Sequence, residues 1–461
     1  MSNDESDRTD AGHHGVSFRE ALWVWCRVAA LSFGGPAGQI AVMHRILVDE
    51  KRWVSENRFL HALNYCMLLP GPEAQQLAIY IGWLLHRTLG GLVAGVLFVL
   101  PGFVSILGLS ILYTTYHDVT VVEGIFYGLK PAVVAVVFEA VARIGKRSLK
   151  NRVMVLVAAA AFVAIFFLEV PFPLIVLSAA AIGFVGGKLW PGTFVVIKGH
   201  AAKDGDTRRH AISDDRADTV RPSLRRTAGI LVVWLLIWLG PVAALYKLAG
   251  PTSVYTQESL FFSKAAMVTF GGAYSVLAYV ADECVKTYGW LKPGEMLDGL
   301  GMAETTPGPL IQVVQFVGFM GAYRNPGPLT PMMAGIAGSI VTTWVTYAPC
   351  FMWIFLGAPY IELLRGRASL NAALSAVTAA VVGVILNLSI WFTLHTIFGI
   401  IHEQHRYGIR LLVPDWATID WVSAAIACGA LVAMFRFKIG MIATLAVAAL
   451  IGLLHHVLLQ T

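Results

Sequence analysis

Phe33-Gly34-Gly35 returns 237 residues later as Phe270-Gly271-Gly272, and the same shift lays Trp53 on Trp290 and Pro70-Gly71-Pro72 on Pro307-Gly308-Pro309. With one residue dropped, Gln76 falls on Gln312 and Gly82 on Gly318. Beyond an insertion the register becomes 248, pairing Pro101 with Pro349, Phe103 with Phe351 and Ala132-Val133-Val134 with Ala380-Val381-Val382. The chain is a duplication, and each copy keeps two glycine/proline breaks inside apolar sequence. In a bilayer, paired interruptions at corresponding places of two halves point to a binding site.

The bilayer follows from composition: 57% of the 461 residues are hydrophobic and only 13% are charged. Mean hydropathy is +0.68. A spanning helix needs about 20 apolar residues. Stretches of spanning or near-spanning length fall at 22–42, 59–84, 89–115, 120–145, 153–168 and 173–190, then 228–249, then 259–283, 296–320, 330–357, 371–397, 420–435 and 439–458. A period of two is absent, which speaks for helices over a barrel. The fold read from this is an all-α polytopic membrane protein: two six-element repeats, 17–190 and 251–461, joined by a linking helix at 228–250. Six elements return the chain to its starting side and the seventh carries it across, so the repeats are expected to have inverted topology.

Charge placement sets the orientation. Arg143, Lys146, Arg147, Lys150 and Arg152 crowd one connection, and the polar stretch 191–227 is rich in Lys and Arg, whereas 116–119 and 169–172 have neither. The rich loops are expected in the cytoplasm, with the N-terminus inside and the C-terminus outside. Counting every element as a crossing puts Arg45, Lys51, Arg52 and Arg58 on the wrong side. That conflict disappears if 18–48 and 56–86 each dip in and return, which their central breaks allow. Residues 1–16 lack a basic region before an apolar run and read as a disordered tail rather than a signal peptide; 191–227 reads as a solvated loop.

Other chemistries find little support. Cys26, Cys66, Cys284, Cys350 and Cys428 form no close pair, so neither a zinc site nor a disulfide framework has the spacing it needs. No Walker loop, dinucleotide fingerprint or nucleophile elbow is present. The net charge of +6 follows from the cytoplasmic loops and is no sign of nucleic acid. No cofactor is implied.

Backbone geometry says what the breaks can do. Gly34 and Gly35 let the chain leave one helix, and Pro36 suits the start of the next, where no intrahelical donor is lost. Pro70-Gly71-Pro72 and Pro307-Gly308-Pro309 repeat the device, and Gly271-Gly272-Ala273 is a weaker copy without the proline. Each fresh helix N-terminus offers unpaired N–H groups and the positive end of a dipole to an anion. Gln39, Gln75, Gln76, Gln312 and Gln315 follow closely as neutral donors. Lys130, in the middle of an apolar segment, is either a cation that complements a bound dianion or an interfacial lysine that snorkels. Glu73 and Glu304 flank the Pro-Gly-Pro breaks as candidate coupling residues, able to pair with Lys130, cap a half-helix or take a proton. Asn387 is a site donor or an ordinary interhelical bond, and Trp53 and Trp290 suit interfacial anchors.

Ser32-Phe33-Gly34-Gly35-Pro36-Ala37-Gly38-Gln39-Ile40, Leu68-Leu69-Pro70-Gly71-Pro72-Glu73-Ala74-Gln75-Gln76-Leu77-Ala78, Thr269-Phe270-Gly271-Gly272-Ala273-Tyr274 and Thr306-Pro307-Gly308-Pro309 together resemble the chromate ion transporter family of bacteria and archaea, in its long two-domain form. The resemblance covers both halves. It implies an inner-membrane protein that exports chromate and confers chromate resistance, with sulfate as a similar oxyanion able to compete or exchange. The alternatives are a sulfate or other oxyanion permease on the same scaffold, a channel, and a membrane-embedded reductase. The last would need a redox centre for which no ligand cluster is present.

Overall fold

The computed structural model describes residues 15–33, 35–67, 69–116, 119–194, 223–270, 272–292, 294–360 and 368–460. Gly34, Gly271, most of the tail and most of the 191–227 loop lie outside the described residues. The first half runs through α1 (Phe18–Leu31), α2 (Gly35–His44), α3 (Glu56–Cys66), α4 (Glu73–Tyr116), α5 (Thr120–Ser148), α6 (Arg152–Phe166) and α7 (Phe172–Leu189). The linking helix is α8 (Leu224–Leu248). The second half follows as α9 (Val254–Val268), α10 (Ala273–Asp282), α11 (Glu295–Thr305), α12 (Val313–Arg324), α13 (Pro331–Gly357), α14 (Ala368–Ile397), α15 (Trp421–Phe435) and α16 (Met441–Gln460). Seven of the described helices are long and apolar enough to cross a bilayer, and α6 and α15 are shorter apolar helices. The chain is a multi-pass membrane protein.

The broken segments are hairpins that come back to where they start. Lys51 Nζ lies 2.7 Å from Glu20 Oε1 and Arg27 Nη1 2.6 Å from Glu50 Oε2, so the segment begun by α2 ends beside the start of α1. His86, where α4 leaves helical geometry, lies 3.0 Å from the Val16 carbonyl. In the second half, Arg324 at the end of α12 pairs with Glu295 at the start of α11, Nη2 to Oε1 at 2.7 Å. The Tyr255 hydroxyl, at the start of α9, donates to Pro326 O at 3.4 Å. These contacts show each broken segment folding back on itself as a hairpin, the geometry that the re-entrant reading requires.

The duplication extends to individual backbone bonds. Each first hairpin ends in a π-helical turn, Arg45–Glu50 in one copy and Glu283–Thr287 in the other. Trp53 N–H then donates to Leu47 O and Trp290 N–H to Cys284 O, both at 2.8 Å. Trp53 and Trp290 are 5% and 2% exposed, so the matched tryptophans are packing residues folded under their loops, not interfacial anchors. Trp290 stacks on Tyr288 with ring centroids 4.2 Å apart.

Without a hydrophobic force between helices in lipid, close approach of small residues has to hold them. Gly128 of α5 packs on Ala448 and Gly452 of α16, and Gly318 of α12 on Gly338 of α13. One element departs from the purely helical reading: strands β1 (Ile401–Arg406) and β2 (Ile409–Pro414) form an antiparallel hairpin between α14 and α15. Its turn, Tyr407-Gly408, takes positive φ at both positions, as a two-residue hairpin turn requires. β1 is almost wholly exposed while β2 is mostly half-buried with Arg410 buried, and no apolar/polar alternation marks either in the sequence.

Candidate functional site

A hairpin tip inside a bilayer leaves backbone groups that water cannot satisfy, and each must find a partner within the protein. Here the two halves supply one another. Gly71 N–H donates to Thr269 O at 2.7 Å, and its copy Gly308 N–H donates to Ser32 O at 2.9 Å. The acceptors match as closely as the donors, because the Ser32 hydroxyl bonds Val28 O at 2.6 Å and the Thr269 hydroxyl Ala265 O at 2.7 Å. Gly71 and Gly308 adopt φ of 120° and 100°, a region that side chains disfavour. The four breaks therefore form two pairs, each joining a Gly-Gly tip of one half to a Pro-Gly-Pro tip of the other.

The helices leaving the tips begin at Gly35, Glu73, Ala273 and, after a 3₁₀ turn at Leu310–Gln312, at Val313. These are the four starts expected at Pro36, Pro72, Ala273 and Pro309. Glu73 sits in the first turn of α4, where the helix dipole favours a carboxylate.

The glutamines divide into two roles that sequence alone could not separate. Gln39 Nε2 donates to Gly308 O at 2.5 Å, Gln76 Nε2 to Pro70 O at 2.7 Å and Gln315 Nε2 to Phe103 O at 3.0 Å. Gln312 Nε2 donates to Gln315 Oε1 and, at 3.3 Å, to Thr343 Oγ1. These four are taken up by backbone carbonyls, by Thr343 and by one another. Gln75 is different: it is 0% exposed, and neither its Nε2 nor its Oε1 has a hydrogen-bond partner among the described residues. A fully buried amide with both ends free is costly and calls for a ligand. It stands in the first turn of α4, next to the Pro70-Gly71-Pro72 tip.

Lys130 is not brought to the tips. Its Nζ lies 3.2 Å from Asp298 Oδ2 on α11, and the Tyr113 hydroxyl donates to the same oxygen at 2.9 Å. Asp298 is seven residues before the end of α11, about 10 Å along the helix from its break. Glu304 bonds the Tyr274 hydroxyl rather than Lys130. Asp298, Tyr113 and Tyr274 were missed by sequence reading. Asp298 lies 168 positions from Lys130, and no local spacing announces the pair. Asn387 lines a cavity of about 130 Å³ with Glu169, Tyr279, Trp391 and Arg410, not with the tips. Glu169, Glu403 and His405 lie close enough to share an ion, but they are exposed, and Arg410 Nη1 already contacts Glu169 at 3.2 Å.

Comparison with known proteins agrees with this architecture. The model of a family described as chromate transporter matches residues 19–184 and 256–453, one match per half. A chromate transport protein of Pseudomonas aeruginosa is 32% identical over 398 residues, 84% of this chain and 85% of the relative. One of Cupriavidus metallidurans is 26% identical, covering 96% of this chain and 94% of the relative. An uncharacterized transporter of Methanocaldococcus jannaschii is 24% identical over 80% of this chain and 82% of its own length. No solved structure matches.

Proposed function

Because the chain belongs to the chromate transporter family, we propose that it is a secondary transporter, not an enzyme, that carries chromate out across the cytoplasmic membrane and so gives chromate resistance. The observation that carries this reading is the reciprocal pairing of four helix-starting breaks beside the unpartnered amide of Gln75. An oxyanion held there meets helix N-termini and a neutral donor, a combination that binds without trapping. Gly35, Pro36, Pro72, Gly272, Pro307 and Pro309 shape the tips, Gln39, Gln76 and Gln312 brace them, and Gln75 contacts the anion.

The placement of helix ends supports inverted repeats. Asn151 Nδ2 bonds Thr193 O, and Thr227 contacts Tyr360, on the side where the first-half hairpins open. The Tyr127 hydroxyl bonds Asp420, and Arg410 N–H bonds Phe167 O, on the side where the second-half hairpins open. With both hairpins of the first half re-entrant, Arg45, Lys51, Arg52 and Arg58 join the other basic loops on one face, which we take as cytoplasmic. Rocking of one half against the other around the tips would then alternate access.

The driving force is available without ATP. Moving one charge through 100 mV is worth about 2.3 kcal/mol, so a dianion leaving a negative interior gains roughly twice that. Coupling to protons or to a counter-anion such as sulfate would add to this drive or redirect it. Chromate uptake into inverted vesicles, with membrane potential and pH gradient set independently, tests the reading. Saturable uptake that follows an inside-positive potential and falls with Gln75→Leu is expected; uptake unaffected by Gln75→Leu would sink the proposed site, and preference for labelled sulfate over chromate would reassign the substrate.

A further inference from the structure

Lys130 lies well inside α5, yet its side chain is 33% exposed. An ammonium in such a segment needs a counter-charge or water, and with part of its surface open Lys130 can meet a solvated ion as well as Asp298. Its partner is the opposite case. Asp298 is 0% exposed, and among the described residues its carboxylate is held through Oδ2 alone, by Lys130 and by the Tyr113 hydroxyl, while Oδ1 has no partner there. Lys130 and Tyr113 belong to the first half and Asp298 to a re-entrant hairpin of the second, so this contact bridges the two bodies that the transport reading moves.

We propose that Asp298 is a tethered competitor for the transported anion at a second station, about 10 Å along α11 from the tips: its carboxylate and the oxyanion contend for the Lys130 ammonium, and a proton taken up on Asp298 hands the ammonium to the oxyanion. The proposal rests on the oxyanion-transport reading and adds its coupling step. The exchange balances as one oxyanion and one proton in, one internal ion pair opened, and one neutral carboxyl formed. No covalent bond to the anion is made. A dianion entering this way moves with a net charge of minus one.

The surroundings leave few other groups to take that proton. From α4 the facing group is Tyr113 and from α5 it is Lys130. On α11 itself Glu295 is clamped by Arg324 of α12 through bonds of 2.8 and 2.7 Å. Residues 441–454 of α16 contain no titratable side chain, and His455 is stacked on Tyr127 with centroids 5.3 Å apart.

The test is chromate binding to the purified full-length protein between pH 7.5 and 9, where the free anion stays a dianion. Wild-type affinity should weaken about tenfold per pH unit, as linkage to one proton requires. Asp298→Asn, nearly isosteric and unable to ionise, should bind with no pH slope and at least tenfold tighter at pH 9. Tyr113→Phe, which removes a donor from the carboxylate, should tighten binding severalfold and guards against misfolding of the first variant. A wild-type slope of zero, or a wild-type slope retained in Asp298→Asn, overturns the proposal. Lys130→Met binding chromate with the wild-type slope overturns it while leaving chromate recognition intact; absence of any chromate binding to the wild type overturns both.

Discussion

Gly71 N–H reaches across the duplication to the carbonyl of Thr269 at 2.7 Å, and residues 237 positions away from each, Gly308 and Ser32, repeat the bond at 2.9 Å with donor and acceptor halves exchanged. Two hairpin tips that would each strand polar backbone in lipid are thereby closed by their counterparts. The same relation fixes which tip meets which.

At Gly71 an added Cβ would meet Cys350 Sγ at 2.8 Å and Gln76 Nε2 at 2.9 Å, and φ is 120°. At Gly272, with φ of 98°, nothing lies within 4 Å. Gly272→Ala should therefore cost only the backbone strain, about 1–2 kcal/mol, whereas Gly71→Ala should cost that plus overpacking of about 1–3 kcal/mol. Thermal unfolding of the two variants in the same detergent checks the order, and equal losses would refute it.

Gln75 and Gln76 are neighbours in sequence and should behave oppositely. Gln76→Leu leaves Pro70 O without its donor and should destabilise the fold by about 1–3 kcal/mol. Gln75→Leu removes a buried amide that bonds nothing among the described residues, so stability should hold or rise while chromate flux falls by about tenfold or more, the scale of one lost hydrogen bond to a charged ligand. Unfolding and flux measured on both variants decide.

Arg324 clamps Glu295 through two bonds and donates to Trp290 O at 2.7 Å. Its loss leaves a carboxylate that is 9% exposed without a counter-charge. Arg324→Gln should destabilise by about 3–5 kcal/mol. Hydrogen exchange should quicken first in α11 and α12, the hairpin whose base this pair closes. Protection unchanged there would speak against the clamp.

Glu169 carries the pH dependence of the β-hairpin. A hydrogen bond from His405, with the Arg410 charge also favouring ionisation, holds its carboxyl below the usual range despite some desolvation. A depressed folded-state value means that the stabilisation is present above the unfolded carboxylate value of about 4.3 and is lost as pH falls through the folded one. Protease cleavage at Tyr407-Gly408 should accelerate below about pH 4. In Glu169→Gln the rate should be high and flat across the same range.

Much of the fold is legible in the sequence because glycine and proline act on backbone geometry directly. The breaks at Pro36, Pro72 and Pro309 begin helices since proline loses nothing at a helix start, and the weaker copy at Ala273 starts one as well. Hairpin or crossing was not legible, because it depends on where the chain ends go, and only the Lys51–Glu20 and Arg324–Glu295 pairs reveal that. The division of labour among glutamines was hidden too. Whether an amide braces backbone or stays free is decided by the segment opposite, here Gly308 for Gln39 and, among the described residues, nothing for Gln75. Lys130 was recognisable as unusual, but its partner sits in another hairpin far along the chain.

The linking helix α8 touches its neighbours along a narrow strip: Trp234 stacks on Phe351 at 5.5 Å, Trp344 Nε1 bonds Ile237 O at 3.0 Å, and only Trp238 and Val242 are buried. Most of its surface faces outward, so little of the tip architecture rests on it. Its contribution is one of parity. On the inverted-repeat reading proposed above, an extra passage turns the second copy over before it inserts, so that a single ribosomal product presents two opposed versions of one motif in fixed one-to-one ratio. Two separate copies would have to enter the bilayer in opposite senses and find each other to do the same.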